Sequence, residues 1–144
     1  MEIREFFEKK EKLLEKIIDK SPKGETLRIF DKDFHEFFYG SEKVSEIITK
    51  AINKKGMLVE LITTRDSDAL NSLYMSLGAN RAYFRHGIVN NDISLSERNF
   101  MLTSKYLGFM FGEGSEESYV LTDHKDMNDL YFKKFYLLKK NANI

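Results

Sequence analysis

The segment Met57-Leu-Val-Glu-Leu-Ile-Thr63 is continuously apolar apart from its glutamate, which is typical of a β-strand covered on both faces. A shorter segment of the same kind, Leu27-Arg-Ile-Phe30, precedes it in the chain. Between the two, Ser41 can cap a helix that extends from about residue 42 to 54, and Gly56 can end it. Strand, helix and strand in this order predict a right-handed crossover between two parallel strands.

The same pattern continues and then changes in the C-terminal half. Asp66 or Ser67 can cap a third helix, which ends at Gly78 before a strand-like segment at 81–85. A polar loop is expected at 87–96. The strands beyond it are joined by connections too short for a parallel crossover, so we expect antiparallel neighbours. These strands are predicted at 98–103, 106–111 and 118–123.

Helices are predicted at both ends of the chain. Between residues 3 and 18 apolar residues recur with helical period, and Pro22 follows where this helix stops. A last helix, at 125–139, begins behind Asp123 or His124. Its inner face is predicted to carry Met127, Leu130, Tyr131, Phe135 and Leu138.

Together these elements predict an α/β fold in which a mixed sheet is flanked by helices. We expect one domain over residues 1–144, made of an N-terminal amphipathic helix at 1–20 and an α/β core at 25–144. A chain of this length can bury a sizeable core without disulfides or a structural metal.

The composition excludes several classes of function. Basic and acidic residues number 23 each, so the chain lacks the net positive charge of a dedicated nucleic-acid binder, and we expect no such partner. The sequence has no cysteine, which rules out disulfide scaffolds and cysteine nucleophiles and fits a reducing cytoplasm. No apolar run approaches the roughly 20 residues that span a bilayer, so we expect no membrane association.

Two carboxylates, Asp31 and Asp33, follow the first predicted strand. Carboxylates in that position can hold Mg²⁺ or supply an aspartyl nucleophile. The segment resembles the first motif of the HAD phosphohydrolases, and Thr63 at the end of the next strand resembles their second motif. This likeness implies an alternative function as a small Mg²⁺-dependent phosphohydrolase. Phe34-His35 departs from the small residues of that family, and turn-forming Asp residues at a strand end are the simpler interpretation.

A second resemblance covers most of the chain, from about residue 11 to 142. The two apolar strands are joined by a helix that ends in Lys54-Lys-Gly56, and the next helix ends in Leu77-Gly-Ala79. A meander of strands and a closing helix with Phe135 follow. This order is similar to that of a single-copy half of the phospholipase D-like superfamily, and the resemblance implies the same fold.

Active members of that superfamily carry a His-x-Lys-x-x-x-x-Asp motif on the first strand of the meander, with His as the nucleophile and Lys on the phosphate oxygens. The matching segment here begins Ser96-Glu-Arg98 and ends at Thr103. Arg98 preserves the cation, but Ser96 replaces the His and Thr103 replaces the Asp. The resemblance therefore implies a degenerate site with no catalytic residue, because an unassisted hydroxyl is a poor nucleophile.

The adjacent pair Arg85-His86 is expected near the same strand ends. With Ser96, Arg98 and Thr103 it forms the candidate pocket for a small anion or ligand. Surface charges on a solvated rim are the simpler interpretation of the pair. The three histidines have no metal-ligand spacing, so we expect neither a metal nor a cofactor.

These observations predict a non-catalytic phospholipase D-like module for interaction or ligand sensing. A homodimer is expected, because a single half leaves apolar surface for a partner to cover, and the stripe Phe6, Phe7, Leu13 and Leu14 could help to cover it. A protein partner is a further possibility. The alternative is a phosphoesterase, either a divergent phosphodiesterase with Arg98 or the phosphohydrolase with Asp31 and Asp33.

Overall fold

The computed structural model describes residues 3–32, 36–90, 99–111, 118–142 and 144, with the backbone alone for residues 36 and 37. In this part of the chain seven strands form one sheet. The strands are β1 (Arg4–Phe7), β2 (Thr26–Asp31), β3 (Leu58–Thr63), β4 (Phe84–Ile88), β5 (Asn99–Leu102), β6 (Leu107–Phe111) and β7 (Ser118–Thr122). The helices are α1 (Lys10–Lys20), α2 (Glu36–Tyr39), α3 (Glu42–Lys55), α4 (Asp68–Ser76) and α5 (Lys125–Ala142).

The sheet is mixed, as the sequence predicts. Its strand order is β1-β7-β6-β5-β2-β3-β4. Strands β2, β3 and β4 are parallel, so the predicted parallel pair is confirmed. The neighbours from β2 through β5, β6 and β7 to β1 are all antiparallel, which confirms the predicted meander.

Apolar side chains cover both faces of the sheet. On one face, helices α1, α3 and α4 pack Leu14, Ile48 and Leu73 into a single core with the inward side chains of the strands. On the other face, α5 packs Tyr131 and Phe135 against the sheet. We refer to these as the three-helix face and the α5 face.

Three predicted helix boundaries have the expected capping residues. The Ser41 hydroxyl accepts a hydrogen bond from the amide of Val44, 3.4 Å away, and caps α3. Gly56 ends α3 with a left-handed backbone, φ 61°, which glycine adopts without a steric penalty. Ser67 rather than Asp66 caps α4, since its hydroxyl accepts from the amide of Leu70.

The predicted helix at 3–18 is wrong in its first part. Residues 4–7 form β1, which pairs with β7 from Arg4 opposite Thr122 to Phe7 opposite Tyr119. A free strand edge offers regular backbone hydrogen bonds, and these outweigh a weak local helical period. The apolar stripe is therefore divided between two elements.

Three smaller expectations are also corrected. Residues Gly78–Tyr83 form a 3-10 turn, and the strand predicted at 81–85 runs instead over Phe84–Ile88, so part of the predicted loop at 87–96 belongs to a strand. The last helix continues beyond residue 139 to Ala142. Leu130 is 50% exposed and does not face the core, whereas Tyr131, Phe135 and Leu138 do.

Candidate functional site

The carboxyl ends of β2, β3 and β4 lie together at one edge of the sheet, because the three strands are parallel. Asp31 at the end of β2 is in register with Thr63 at the end of β3. On its other side Asp31 pairs with Asn99, the first residue of β5. Open α/β sheets bind their ligands at such an edge. Asp31 and Thr63 therefore lie close together at this edge.

Asp31 is fully buried and already has two partners. The ammonium group of Lys10, itself only 7% exposed, and the hydroxyl of Tyr39 both donate hydrogen bonds to its Oδ2 atom. Lys10 also lies over the ring of Phe38, 4.5 Å from the centroid. A carboxylate compensated in this way inside the core is not placed to attack a phosphate or to bind a solvated Mg²⁺ ion. Asp33 lies outside the described residues.

Tyr39 completes this buried group. Burial raises the pKa of its phenol well above the ordinary value, and the negative charge of Asp31 and their hydrogen bond raise this pKa further. Because the folded-state pKa is raised, the stabilisation is present below the ordinary tyrosine pKa and is lost as the pH rises toward the folded-state value.

We expect Tyr39 to stay protonated in the native protein when exposed tyrosines ionise at about pH 10. Tyrosinate absorbance at that pH will therefore be the same for the native wild type and for Tyr39→Phe. After unfolding in denaturant, the wild type will show one more tyrosinate than the variant. A difference already present between the two native proteins would contradict the buried arrangement.

Thr63 and His86 form a second polar pair on the three-helix face. The Oγ1 atom of Thr63 lies 2.8 Å from Nε2 of His86. The same Thr63 hydroxyl donates a hydrogen bond to the carbonyl of Arg65 at 2.7 Å. Burial lowers the pKa of His86, and the nearby carboxylate of Asp66 opposes that shift only in part. His86 is therefore neutral at pH 7, and it does not supply the positive charge of an anion site.

Arg85 and His86 both line a cavity of about 530 Å³ between β4 and α4. Successive side chains on a strand point to opposite faces of the sheet, so Arg85 and His86 border the cavity from opposite faces. Arg85 is exposed and is the cationic residue of the cavity lining. Further polar groups of the lining are Asp66, Asn71 and Tyr74. The volume lies in the range of small-molecule sites.

Thr103 does not belong to this cavity. Strand β5 leads away from the Asp31 edge, and Thr103 follows its last residue at the opposite edge of the sheet. There it is fully buried, with its hydroxyl 2.8 Å from that of Ser21 and its carbonyl accepting from the amide of Asn128. Its place in the candidate pocket is corrected accordingly. Ser96 and Arg98 lie outside the described residues.

Sequence reasoning missed the charged partners inside the core. Lys10 lies in an amphipathic pattern in which a lysine is ordinarily solvated, but in the structure it pairs with Asp31. Glu60 interrupts an apolar strand, which is a signal of a buried pair, and it is paired with Arg28 and Lys139. His124 behaves as expected, because its Nδ1 accepts from the amide of Met127 at the start of α5.

Two further features of residues 3–32, 36–90, 99–111, 118–142 and 144 concern metal ligands and membrane-spanning helices. Within these ranges no three carboxylate or imidazole side chains come together as the ligands of a metal ion would. None of the helices there combines the length and the apolar character needed to cross a bilayer.

The fold is that of the phospholipase D family. The structure superposes on Nuc, a phospholipase D family member from Salmonella typhimurium, with a TM-score of 0.72 and 9% identity, covering 99% of this chain and 97% of that one. NucT from Helicobacter pylori matches with a TM-score of 0.65 and 11% identity, over 99% of this chain and 98% of NucT.

A larger enzyme contains the same fold as one of its parts. Polyphosphate kinase from Porphyromonas gingivalis matches with a TM-score of 0.61 and 12% identity, and the match covers 97% of this chain but 24% of the kinase. No protein-family model matches the sequence. No curated protein matches it significantly either. These likenesses establish the phospholipase D-like fold that the sequence predicts.

Proposed function

We propose that this protein is a non-catalytic phospholipase D-like module that binds a small ligand and self-associates in the cytoplasm. The observation that carries the proposal is the burial of Asp31 with its Oδ2 atom paired to Lys10 and Tyr39, which leaves this carboxylate unsuited to act as a nucleophile. The sequence supports it, since Ser96 stands where active relatives have a nucleophilic His. The absence of cysteine supports a reducing compartment.

The ligand site of the proposal is the cavity beside β4. It combines the guanidinium of Arg85 with the neutral imidazole of His86, and Leu70 and Phe84 supply apolar wall. A concave site with a few polar groups on an apolar wall is typical of small-molecule binding. Arg85 is suited to an anionic group, because its fork of donors matches carboxylate and phosphate oxygens.

We expect no turnover of bis(4-nitrophenyl) phosphate or of 4-nitrophenyl phosphate, with or without Mg²⁺, when release of nitrophenol is followed at increasing protein concentration. Activity proportional to protein concentration and abolished by Arg98→Ala would instead establish a phosphodiesterase. Activity that depends on Mg²⁺ and disappears in a folded Asp31→Asn variant would establish the phosphohydrolase. Lys105→Ala, a change to an exposed lysine, is the matched control for nonspecific loss.

Only part of the predicted apolar stripe is available for self-association. Leu13 and Leu14 are buried in the core of the protein and are not available to a partner. On the α5 face, however, Phe6 is 65% and Phe111 is 43% exposed, and their rings meet edge to face with centroids 6.0 Å apart. With Phe109, Val120 and Met127 they line a groove of about 320 Å³. We call this surface the Phe6 patch.

The Phe6 patch favours a second copy of the chain as its occupant. Strand β1 is the last strand of the described sheet and pairs there with β7, so no other described strand lies along its outer side. An antiparallel pair of β1 strands across a two-fold axis would continue the sheet and bring two Phe6 patches together. Such pairing is self-complementary, as a homodimer requires.

We expect Phe6→Lys to convert the dimer to a monomer, because it places a charge at the centre of the interface. Light scattering at micromolar concentration will give twice the chain mass of 16.9 kDa for the wild type and the single mass for the variant. Leu137→Lys, which changes an equally exposed residue of α5, is the control and will remain dimeric. A monomeric wild type at this concentration would refute the dimer.

A further inference from the structure

The cavity beside β4 contains a histidine whose protonated nitrogen is determined by its neighbour. The Thr63 hydroxyl has one hydrogen, and it donates that hydrogen to the carbonyl of Arg65 at 2.7 Å. Its lone pairs therefore face Nε2 of His86 at 2.8 Å. Two lone pairs at this distance would repel, so Nε2 carries the proton and donates to Thr63.

The other ring nitrogen is then an acceptor. In a neutral imidazole with a proton on Nε2, the Nδ1 atom has a free lone pair. Nδ1 of His86 has no protein partner in the described ranges, and it is not one of the enclosed polar atoms without a partner there. Because the ring lines the cavity, this lone pair is open to a ligand.

The cavity lining thus includes both hydrogen-bond donors and hydrogen-bond acceptors. Arg85 supplies donors and a positive charge, whereas His86 and the carboxylate of Asp66 supply acceptors. The lining also includes the apolar residues Leu70 and Phe84, both almost fully buried. A ligand that satisfies all of them has an acidic group, an N–H or O–H donor and a small apolar body.

We propose that this cavity selects a small acid that also carries a hydrogen-bond donor, with its acidic group on Arg85 and its donor on Nδ1 of His86. The inference rests on the proposed ligand-binding function and adds the chemical class of the ligand. A plain acid leaves the Nδ1 acceptor of His86 unpaired, and an unpaired polar group in a partly buried site lowers affinity. Thr63 acts as a positioning residue, since it orients the ring and fixes its proton.

The first test measures which nitrogen of the His86 ring carries the proton. Long-range ¹H–¹⁵N correlation spectra of the free protein are expected to show His86 neutral at pH 7, with the proton on Nε2. Thr63→Val removes the hydroxyl at nearly constant volume, and the spectra will then show a mixture of the two neutral forms. A proton on Nδ1 in the wild type, or an imidazolium at pH 7, would overturn the inference.

The second test uses three related probes in titration calorimetry. L-phenylalanine has both groups, 3-phenylpropanoate has only the acid, and 2-phenylethylamine has only the donor. We expect phenylalanine to bind about tenfold more tightly than either of the others, the effect of one satisfied polar contact. Arg85→Gln will remove the advantage over the amine, and His86→Phe the advantage over the plain acid. His86→Asn, which keeps an acceptor near the Nδ1 position, will restore part of it.

The outcomes separate this inference from the function on which it rests. Equal binding of phenylalanine and 3-phenylpropanoate overturns the donor selectivity but leaves an anion-binding module. If no probe binds, and inorganic phosphate does not bind either, both proposals are overturned. Hydrolysis of a phosphate ester in the assays above would refute only the non-catalytic role.

Discussion

Asp31→Leu is expected to lower the free energy of unfolding by about 3–5 kcal/mol, because it leaves the ammonium group of Lys10 buried without its carboxylate. The hydroxyl of Tyr39 loses its acceptor in the same change. Urea unfolding followed by circular dichroism measures the loss. Lys10→Met is expected to cost a similar amount, since it leaves the charge of Asp31 uncompensated.

The double variant distinguishes a buried pair from two independent contacts. Lys10→Met combined with Asp31→Leu removes both charges, so its stability will lie above that of either single variant. Lys12→Met is the matched control, because Lys12 is 57% exposed and its ion pair with Glu15 is on the surface. Its effect will be within about 0.5 kcal/mol. Additive losses in the double variant would show that Lys10 and Asp31 do not depend on each other.

Gly108→Val is expected to cost about 3 kcal/mol, the upper part of the range for an overpacked core. A Cβ atom at this position of β6 would lie 2.8 Å from Cδ1 of Leu13 on α1. Leu13 is itself buried, so its side chain would have to shift within a packed core. Thermal and urea unfolding will both report the loss, and the far-UV spectrum will show that the fold is kept.

A second substitution tests the cause. Leu13→Ala opens space opposite residue 108, so the combination with Gly108→Val will be less destabilised than the sum of the two single variants. Gly24→Ala is the control. A Cβ atom there meets nothing within 4 Å, and the cost arises from its φ of +81°. Leu13→Ala will not relieve that cost, and a strictly additive result at residue 108 would contradict the steric explanation.

The sequence predicted those parts of the fold that depend on short, local sequence patterns. The crossover from β2 through α3 to β3 is marked by a cap at Ser41, a left-handed glycine at position 56 and two apolar strands. The position of β1 was not predictable in this way. Its partner β7 is remote in the sequence, and Arg4-Glu-Phe-Phe7 fits a helical period as well as a strand.

The same distinction between local and long-range sequence information applies to the candidate site. Arg85 and His86 both line one cavity, although as neighbours on a strand they point to opposite faces of the sheet, and the sequence does not show which helix completes the cavity. The pairing of Lys10 with Asp31 joins two distant elements, and a lysine in a helical pattern is ordinarily solvated. Thr103 was assigned to the candidate pocket from the motif spacing alone. The motif extends along β5, and the two ends of a strand lie at opposite ends of the sheet, so its last residue is far from its first.

The pairing of β1 with β7 bears on how the protein is made. During synthesis β1 leaves the ribosome before the other six strands, and Thr122, the partner of Arg4, follows only after β2 to β6 have emerged. Throughout that interval the nascent chain carries an unpaired strand with an exposed Phe6, a state open to mispairing with neighbouring polypeptides. Completion of this end of the sheet is therefore a late step, and chaperones that shield extended apolar segments would be of most use to the protein before it.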